Sequence, residues 1–316
     1  MVSSPPVRRL PWVSDALLLA VAAVWGTSYG VMKTALAFHP VLGLLALRFG
    51  LTFVLLLPAL RGLRGVPAAL RWRIAGLGGL LLAVFLCESY GVLHTQAARA
   101  AFLISLCVVF TPLVEWALLR RRPAGREWAA VAVSLLGAAL LAGDAAGGFG
   151  LGDALVLGAA LLRALMVCCT RRVLAPDAGA AVPPALAVTA VQSGVVAVGC
   201  AVLATLQGPW PALPSPSGEP LFWACLAWLV GACTLFAFFA QNAGLQRSTP
   251  TRVALLMGSE PAFGALFAVA VLGEPVGPRA WTGGALIVAA ALLATVRGMP
   301  GRGGAPVVRP AGSSRS

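Results

Sequence analysis

Charge is scarce in this chain. Only 10% of its 316 residues are Asp, Glu, Lys or Arg, against about 25% in a soluble domain, which argues against a soluble globular fold. Histidine is nearly absent, with two residues. There is no His-Glu-x-x-His and no Asp-x-x-Asp cluster. Nothing therefore supplies the metal site that a membrane-embedded enzyme would need, and the chain is read as no enzyme. The phosphate-binding pattern Gly-x4-Gly-Lys-Ser/Thr is missing as well, so ATP does not drive any process through this chain. No metal and no cofactor is expected. Cysteine is present but never in a loop: Cys87, Cys107, Cys168, Cys169, Cys200, Cys225 and Cys233 all fall inside apolar runs. That placement argues against a disulfide framework or a zinc site and suits small packing residues.

What the chain does have is apolar sequence: 59% of it is hydrophobic, in recurrent runs of about 20 residues, the length that crosses a bilayer. The net charge of +13 could suggest nucleic acid. The arginines instead sit in short clusters between the apolar runs, as loop charges of a membrane protein do, and nucleic acid is not an expected partner. The runs predict ten membrane helices: 14–35, 40–60, 73–93, 99–119, 127–143, 152–170, 183–206, 221–243, 251–272 and 279–297. Connections are brief except for 207–220, whose prolines and glycines exclude a helix. Arg8-Arg9 precedes the first apolar run, which is long enough to span and is read as retained. The Gly, Pro, Ser and Arg of 298–316 predict a disordered tail.

The chain matches itself. Residues 76–141 align without a gap on 229–294, pairing Phe85 with Phe238, Gly91 with Gly244, Arg99 with Arg252, Phe110 with Phe263, Arg126 with Arg279 and Trp128 with Trp281. Sixteen of the 66 positions are identical, where chance in so Ala- and Leu-rich a sequence gives roughly half that. An earlier stretch repeats at another offset: Asp15-Ala16-Leu17 on Asp153-Ala154-Leu155, and Lys33 on Arg171. Two halves with an odd number of spans each must enter the membrane in opposite senses, the inverted-repeat plan of secondary transporters. With the N-terminus in the cytoplasm, eighteen cations fall in inside segments, against Lys33, Arg99 and Arg279 outside. That bias predicts cytoplasmic termini.

Several stretches then become recognisable. Trp25-Gly26-Thr27-Ser28-Tyr29-Gly30 with Lys33 resembles the first helix of an EamA-type member of the drug/metabolite transporter superfamily, and Leu47-Arg48-Phe49 its second. Arg99-Ala-Ala-Phe102-Leu, continuing to Val109-Phe110-Thr111-Pro112-Leu113, resembles the fourth. Gly152-Asp153-Ala154-Leu155 is similar to the start of the second repeat. Arg252-Val-Ala-Leu-Leu-Met257-Gly-Ser-Glu260-Pro261 resembles the ninth helix, and Leu272-Gly273-Glu274-Pro275 its end. The resemblance implies an all-α polytopic membrane protein, ten transmembrane helices in a 5+5 inverted repeat. Residues 1–143 form one half, 144–297 the other, and 298–316 the cytoplasmic tail. It also implies a cavity lined by helices 1–4 and 6–9, and a multi-pass carrier of the cell (inner) membrane for a small polar metabolite such as an amino acid, often an exporter. Partners are then the lipid bilayer and the small-molecule substrate, with a homodimer left open. A channel or a structural membrane protein is the competing reading.

Ionisable groups within spans are functional candidates by default. Glu260 lies ten residues into helix 9, near the midplane, beside Pro261. Loss of the hydrogen bond to Met257 predicts a bend there, and Thr111-Pro112 predicts a similar break in helix 4. Glu88 aligns with Gln241 and Ser89 with Asn242, so these groups are expected to face a common cavity. Arg48 either holds a substrate carboxylate or ties helix 2 to a carboxylate of another helix. Glu115 is read as a partner for the arginines at 120–122. Glu88, Glu260 and His94 are the proton-coupling candidates. Trp25 and Tyr29 lie four apart on helix 1, a spacing that usually serves packing, while the resemblance implies that they wall the cavity, with Gly26 and Gly30 allowing close helix approach. Arg163 stands where the family usually has an aromatic, and it aligns with Trp25 across the repeat. Two roles stand open for it: contact with an anionic substrate, or a pair with Glu88, Glu115 or Glu260.

Overall fold

The computed structural model describes residues 11–95, 97–142, 149–174, 182–210, 212–272 and 277–295. Among them there is no β-strand. The helices are α1 (Pro11–Leu36), α2 (Val41–Leu56), α3 (Ala68–Leu93), α4 (Ala97–Ser105), α5 (Cys107–Leu119), α6 (Gly125–Ala142) and α7 (Leu151–Leu174). They continue as α8 (Ala185–Gln207), α9 (Pro220–Val230), α10 (Ala237–Arg247), α11 (Pro250–Met257), α12 (Glu260–Leu272) and α13 (Pro278–Thr295). A 3-10 turn, Leu57–Leu63, extends α2, and a π turn, Gly231–Phe236, joins α9 to α10 without a gap. The tail expected at 298–316 lies outside the described residues.

Proline marks most of the starts. It is the residue before the first turn at Pro40, Pro67 and Pro184, and it stands within the first turn at Pro220 and Pro250. The missing N–H costs nothing there, because the first helical amides have no partner in the helix. Two other starts use acid. Glu127 accepts from the Ala124 amide at 2.7 Å, and Asp153 from the Gly150 amide at 2.9 Å. Each carboxylate reaches back over the first turn of its own helix, as in a capping box.

Among the described residues, seven helices or helix pairs are long and apolar enough to cross a membrane: Val13–Leu36, Val41–Leu63, Ala68–Leu93, Phe102–Leu119, Leu151–Leu174, Ala185–Gln207 and Pro220–Arg247. Their polarity is inside out relative to a soluble bundle. Thr52, Ser89, Thr189, Gln192, Ser193, Thr234, Gln241 and Asn242 are buried, while Val54, Leu55, Val198, Val202 and Leu206 are exposed. A bilayer imposes that arrangement, since hydrocarbon solvates leucine and valine but leaves hydrogen-bonding groups unmatched. The chain is a multi-pass membrane protein.

Packing is pairwise. Helix α2 lies on α8, α6 on α13, and α3 on α7, while α1 meets α9, α10 and α12 and α7 also meets α5. Small residues set the closest approaches. A Cβ on Gly26 of α1 would stand 2.7 Å from the amide nitrogen of Gly264 and 2.9 Å from the carbonyl of Glu260, both on α12. Nothing lies within 4 Å of a Cβ on Gly30. So of the two glycines, only Gly26 brings the backbones together.

The boundaries correct the sequence reading in three places. Helix α3 starts at Ala68 rather than 73, and the eighth rod runs to Arg247 rather than 243. The fourth rod is interrupted at Leu106, between α4 and α5, not at Thr111-Pro112, which lie within α5. The ninth rod does break beside its proline: it is interrupted at Gly258-Ser259, and Glu260 with Pro261 opens α12. Pro261 lacks the amide that would bond to the Met257 carbonyl and its ring crowds that carbonyl, so the break falls just ahead of it, at the place its sequence predicts. The two interruptions correspond, since Leu106 aligns with Ser259 in the repeat.

Candidate functional site

The π turn is the first thing that builds the site. Here the Ala237 amide bonds to the Ala232 carbonyl, five residues back, rather than to Cys233. Thr234 also turns its hydroxyl back to the Leu229 carbonyl at 2.7 Å. The carbonyl of Cys233 is thereby released from its usual partner, as at π-bulges generally. Two side chains from other helices take it: Trp25 Nε1 donates at 2.9 Å and Arg48 Nη2 at 3.2 Å. Arg48 Nε donates to Thr234 Oγ1 at 2.6 Å.

Arg48 thus makes no ion pair with a carboxylate among the described residues. It joins α2 to the π turn with two of its three nitrogens. Phe49 and Phe85 face its guanidinium at 5.3 and 5.2 Å from the ring centroids, a cation–π arrangement that suits a buried cation. Phe238 extends this aromatic wall, 5.5 Å from Trp25 and 6.2 Å from Phe85.

Arg163 reaches the same place from α7. Its Nη2 lies 3.3 Å from Glu260 Oε2, and its Cζ stands 4.5 Å from the centroid of Trp25. Of the three carboxylates weighed for it, Glu260 is the one in ion-pair contact. Trp25 and Arg163, which align across the repeat, stack on each other. Glu88 of α3 completes the group. These residues line one cavity of about 30 Å³, with Ser28, Met32 and Met166 among the others. That volume suits one or two waters.

The cavity therefore gathers Trp25, Arg48, Glu88, Arg163 and Glu260. Gln241 and Asn242 lie elsewhere. Asn242 Nδ2 donates to Thr189 Oγ1 and Gln192 Oε1, both at 3.0 Å, in the seam between α10 and α8. Gln241 is buried, and its Oε1 has no hydrogen-bond partner. His94 caps the exposed end of α3, where its backbone abuts Gly152. The side chain of Tyr29 lies outside the described residues. The carbonyl of Cys233 and the hydroxyl of Thr234 had no signal in the sequence, because Gly-Ala-Cys-Thr-Leu-Phe reads as ordinary apolar helix.

Glu115 works outside the cavity. Its Oε1 accepts from Arg121 at 3.0 Å, and its Oε2 takes the backbone amide of Thr251 at 3.0 Å together with that residue's hydroxyl. A carboxylate of α5 thereby sits on the N-terminus of α11, where the helix dipole favours it. Residues Gly26–Gly30 have the Gly-x-Ser-x-Gly spacing of a hydrolase nucleophile elbow. That motif needs a sharp strand-to-helix turn. Here it lies within α1, with Ser28 Oγ donating to the Trp25 carbonyl at 2.7 Å.

A helical membrane protein with charged side chains from four helices converging on one internal cavity has the form of a transporter. The EamA-like transporter family model matches residues 12–143 and again 150–296, and the chain belongs to that family, part of the drug/metabolite transporter superfamily. It is similar to an uncharacterized transporter of Archaeoglobus fulgidus, 26% identical over 92% of this chain and 88% of that protein. A solved crystal structure superposes with a TM-score of 0.73 at 21% identity, covering 90% of this chain and 96% of its own. That likeness supports the fold alone.

Proposed function

We propose that the protein is a secondary carrier for a small polar metabolite, an amino acid or related compound, moved outward by alternating access. The observation that carries the reading is the cavity. Arg48 on α2, Glu88 on α3, Arg163 on α7 and Glu260 on α12 face one space walled by Trp25, Phe85 and Phe238. A zwitterion meets both signs of charge there, with carboxylate Glu88 for an ammonium group and a guanidinium for a carboxylate. The present volume is far below that of a metabolite, so binding requires the walls to part. Glu88 and Glu260 are the groups able to carry a coupled proton.

The architecture proposed is ten spans in two inverted halves, α1–α6 and α7–α13, with α4–α5, α9–α10 and α11–α12 each counted as one rod. Helix pairing supports it. The repeat carries the α3–α7 contact onto the contact of α1 with α9–α10, and it maps the α2–α8 and α6–α13 contacts onto themselves. The start of α1, the ends of α5, α7, α10 and α13 and the start of α11 meet around one further cavity. Up-and-down rods in an even number bring those ends together.

The test is uptake and counterflow in proteoliposomes over a labelled panel of amino acids, sugars and nucleosides. Saturable uptake and counterflow of an amino acid are expected. Flux that neither saturates nor exchanges label would favour a channel.

Orientation is checked separately. Both termini are proposed to be cytoplasmic and 207–220 external, on the eighteen-to-three charge bias. Cysteine placed at Ser215 in intact cells is expected to react with an impermeant thiol reagent, and cysteine at Arg309 is not. The reverse pattern would invert the protein.

A further inference from the structure

The second cavity is larger than the first and shares no residue with it. It encloses about 490 Å³, within the usual range of small-molecule sites. Five arginines line it, Arg121, Arg126, Arg171, Arg247 and Arg252, against two carboxylates, Asp15 and Glu127. These arginines come from five segments: the α5–α6 connection, the start of α6, the end of α7, the end of α10 and the start of α11. Loop arginines of a membrane protein need not converge. These do.

Three of them are held in place. Arg252 makes a two-pronged contact with Asp15, at 2.6 and 3.2 Å. Arg121 bridges Glu115 and both oxygens of Glu127. Burial opposes its charge, but the two carboxylates outweigh that and hold its pKa above the ordinary guanidinium value. Arg171 Nη1 donates to the carbonyls of Leu245 and Gln246 at 2.8 and 2.9 Å, where the C-terminus of α10 favours a cation. Its Nε and Nη2 remain for another acceptor. Arg247 is exposed at the rim. The spare donors of the fixed Arg171, with the exposed Arg247 beside the same concave space, suit a tetrahedral or planar oxyanion, which accepts several N–H bonds at once.

We propose that this vestibule binds an oxyanion group, phosphate above all, at a site separate from the central cavity. The group can belong to a soluble phosphate compound or to the headgroup of an anionic lipid, and the proposal holds whatever the central cavity carries.

Two arms test it on the full-length protein. In detergent at fixed ionic strength, radiolabelled inorganic phosphate is measured by equilibrium dialysis. In nanodiscs of mixed phosphatidylcholine and phosphatidylglycerol, retained lipid is measured by native mass spectrometry. Saturable phosphate binding identifies a soluble oxyanion source, and selective retention of phosphatidylglycerol identifies the lipid source. In the arm that responds, Arg247→Gln is expected to weaken binding at least about tenfold, the scale of one charge-assisted hydrogen bond, and Arg247→Glu to weaken it further. Lys33→Gln, which does not line this cavity, is expected to leave it unchanged. No specific binding in either arm would overturn the proposal. So would wild-type binding by a folded Arg247→Glu protein.

Discussion

Glu260→Gln is expected to lower transport at least about tenfold, roughly 1.4 kcal/mol in transition-state terms. The substitution keeps shape and removes the carboxylate that faces Arg163 at 3.3 Å. Removing one partner of a buried ion pair costs about 3–5 kcal/mol when the pair is dry, and less here because the cavity beside it admits water. The melting temperature is therefore expected to fall as well. A double variant separates the two effects. Arg163→Gln with Glu260→Gln removes both charges together, so its melting temperature is expected to return toward wild type while transport stays low. Transport at the wild-type rate by a folded Glu260→Gln protein would show that the carboxylate is not part of the carrier cycle. Recovery of transport along with melting in the double variant would make the pair purely structural.

Gly26→Ala is expected to be the most damaging single methyl addition in α1, and Gly30→Ala among the mildest. At Gly26 the new carbon meets backbone, 2.7 Å from the Gly264 nitrogen and 2.9 Å from the Glu260 carbonyl. Backbone cannot rotate away as a side chain does, so α1 and α12 must separate. Overpacking of this kind costs about 1–3 kcal/mol or more. The carbonyl that is pushed belongs to Glu260, so the damage reaches the cavity too. At Gly30 the methyl enters open space, and alanine in a helix interior gains about 0.5–1 kcal/mol over glycine. Thermal melts of the two purified variants should bracket the wild type. Equal melting temperatures would mean that α1 and α12 do not meet as closely as described.

The membrane class was legible in the scarcity of charge and the length of the apolar runs. The resemblance across Trp25–Gly30, Arg48 and Arg252–Pro261 led to the family. The residues of the cavity were half legible. Arg48, Glu88, Arg163 and Glu260 stood out because charge within a span is costly. Which of them meet depends on contacts between distant helices, such as the 97 residues that separate Arg163 from Glu260, and no local pattern encodes that. One helix interruption was misplaced for a different reason. Proline is the visible breaker, and the break at Gly258-Ser259 does fall just ahead of Pro261, but the fourth rod breaks at Leu106, the repeat counterpart of Ser259, and not beside Pro112. Asn242 shows a further limit. Its alignment with Ser89 placed it by symmetry, but a polar side chain in a membrane protein also serves helix seams, and Thr189 and Gln192 take it there.

The π turn has an effect beyond freeing one carbonyl. A helix advances about 100° per residue, so one extra residue between α9 and α10 acts as a phase shifter. Upstream of it, Phe222 and Leu229 face the core; downstream, Phe238, Gln241 and Leu245 do. Deleting a single residue from Gly231–Phe236 would turn the whole of α10 by that angle while leaving its length and composition nearly intact. Phe238 would leave the aromatic wall and Arg247 would leave the vestibule in the same stroke. The two cavities, which share no residue, are therefore timed by one irregular turn, like two cams on a single shaft.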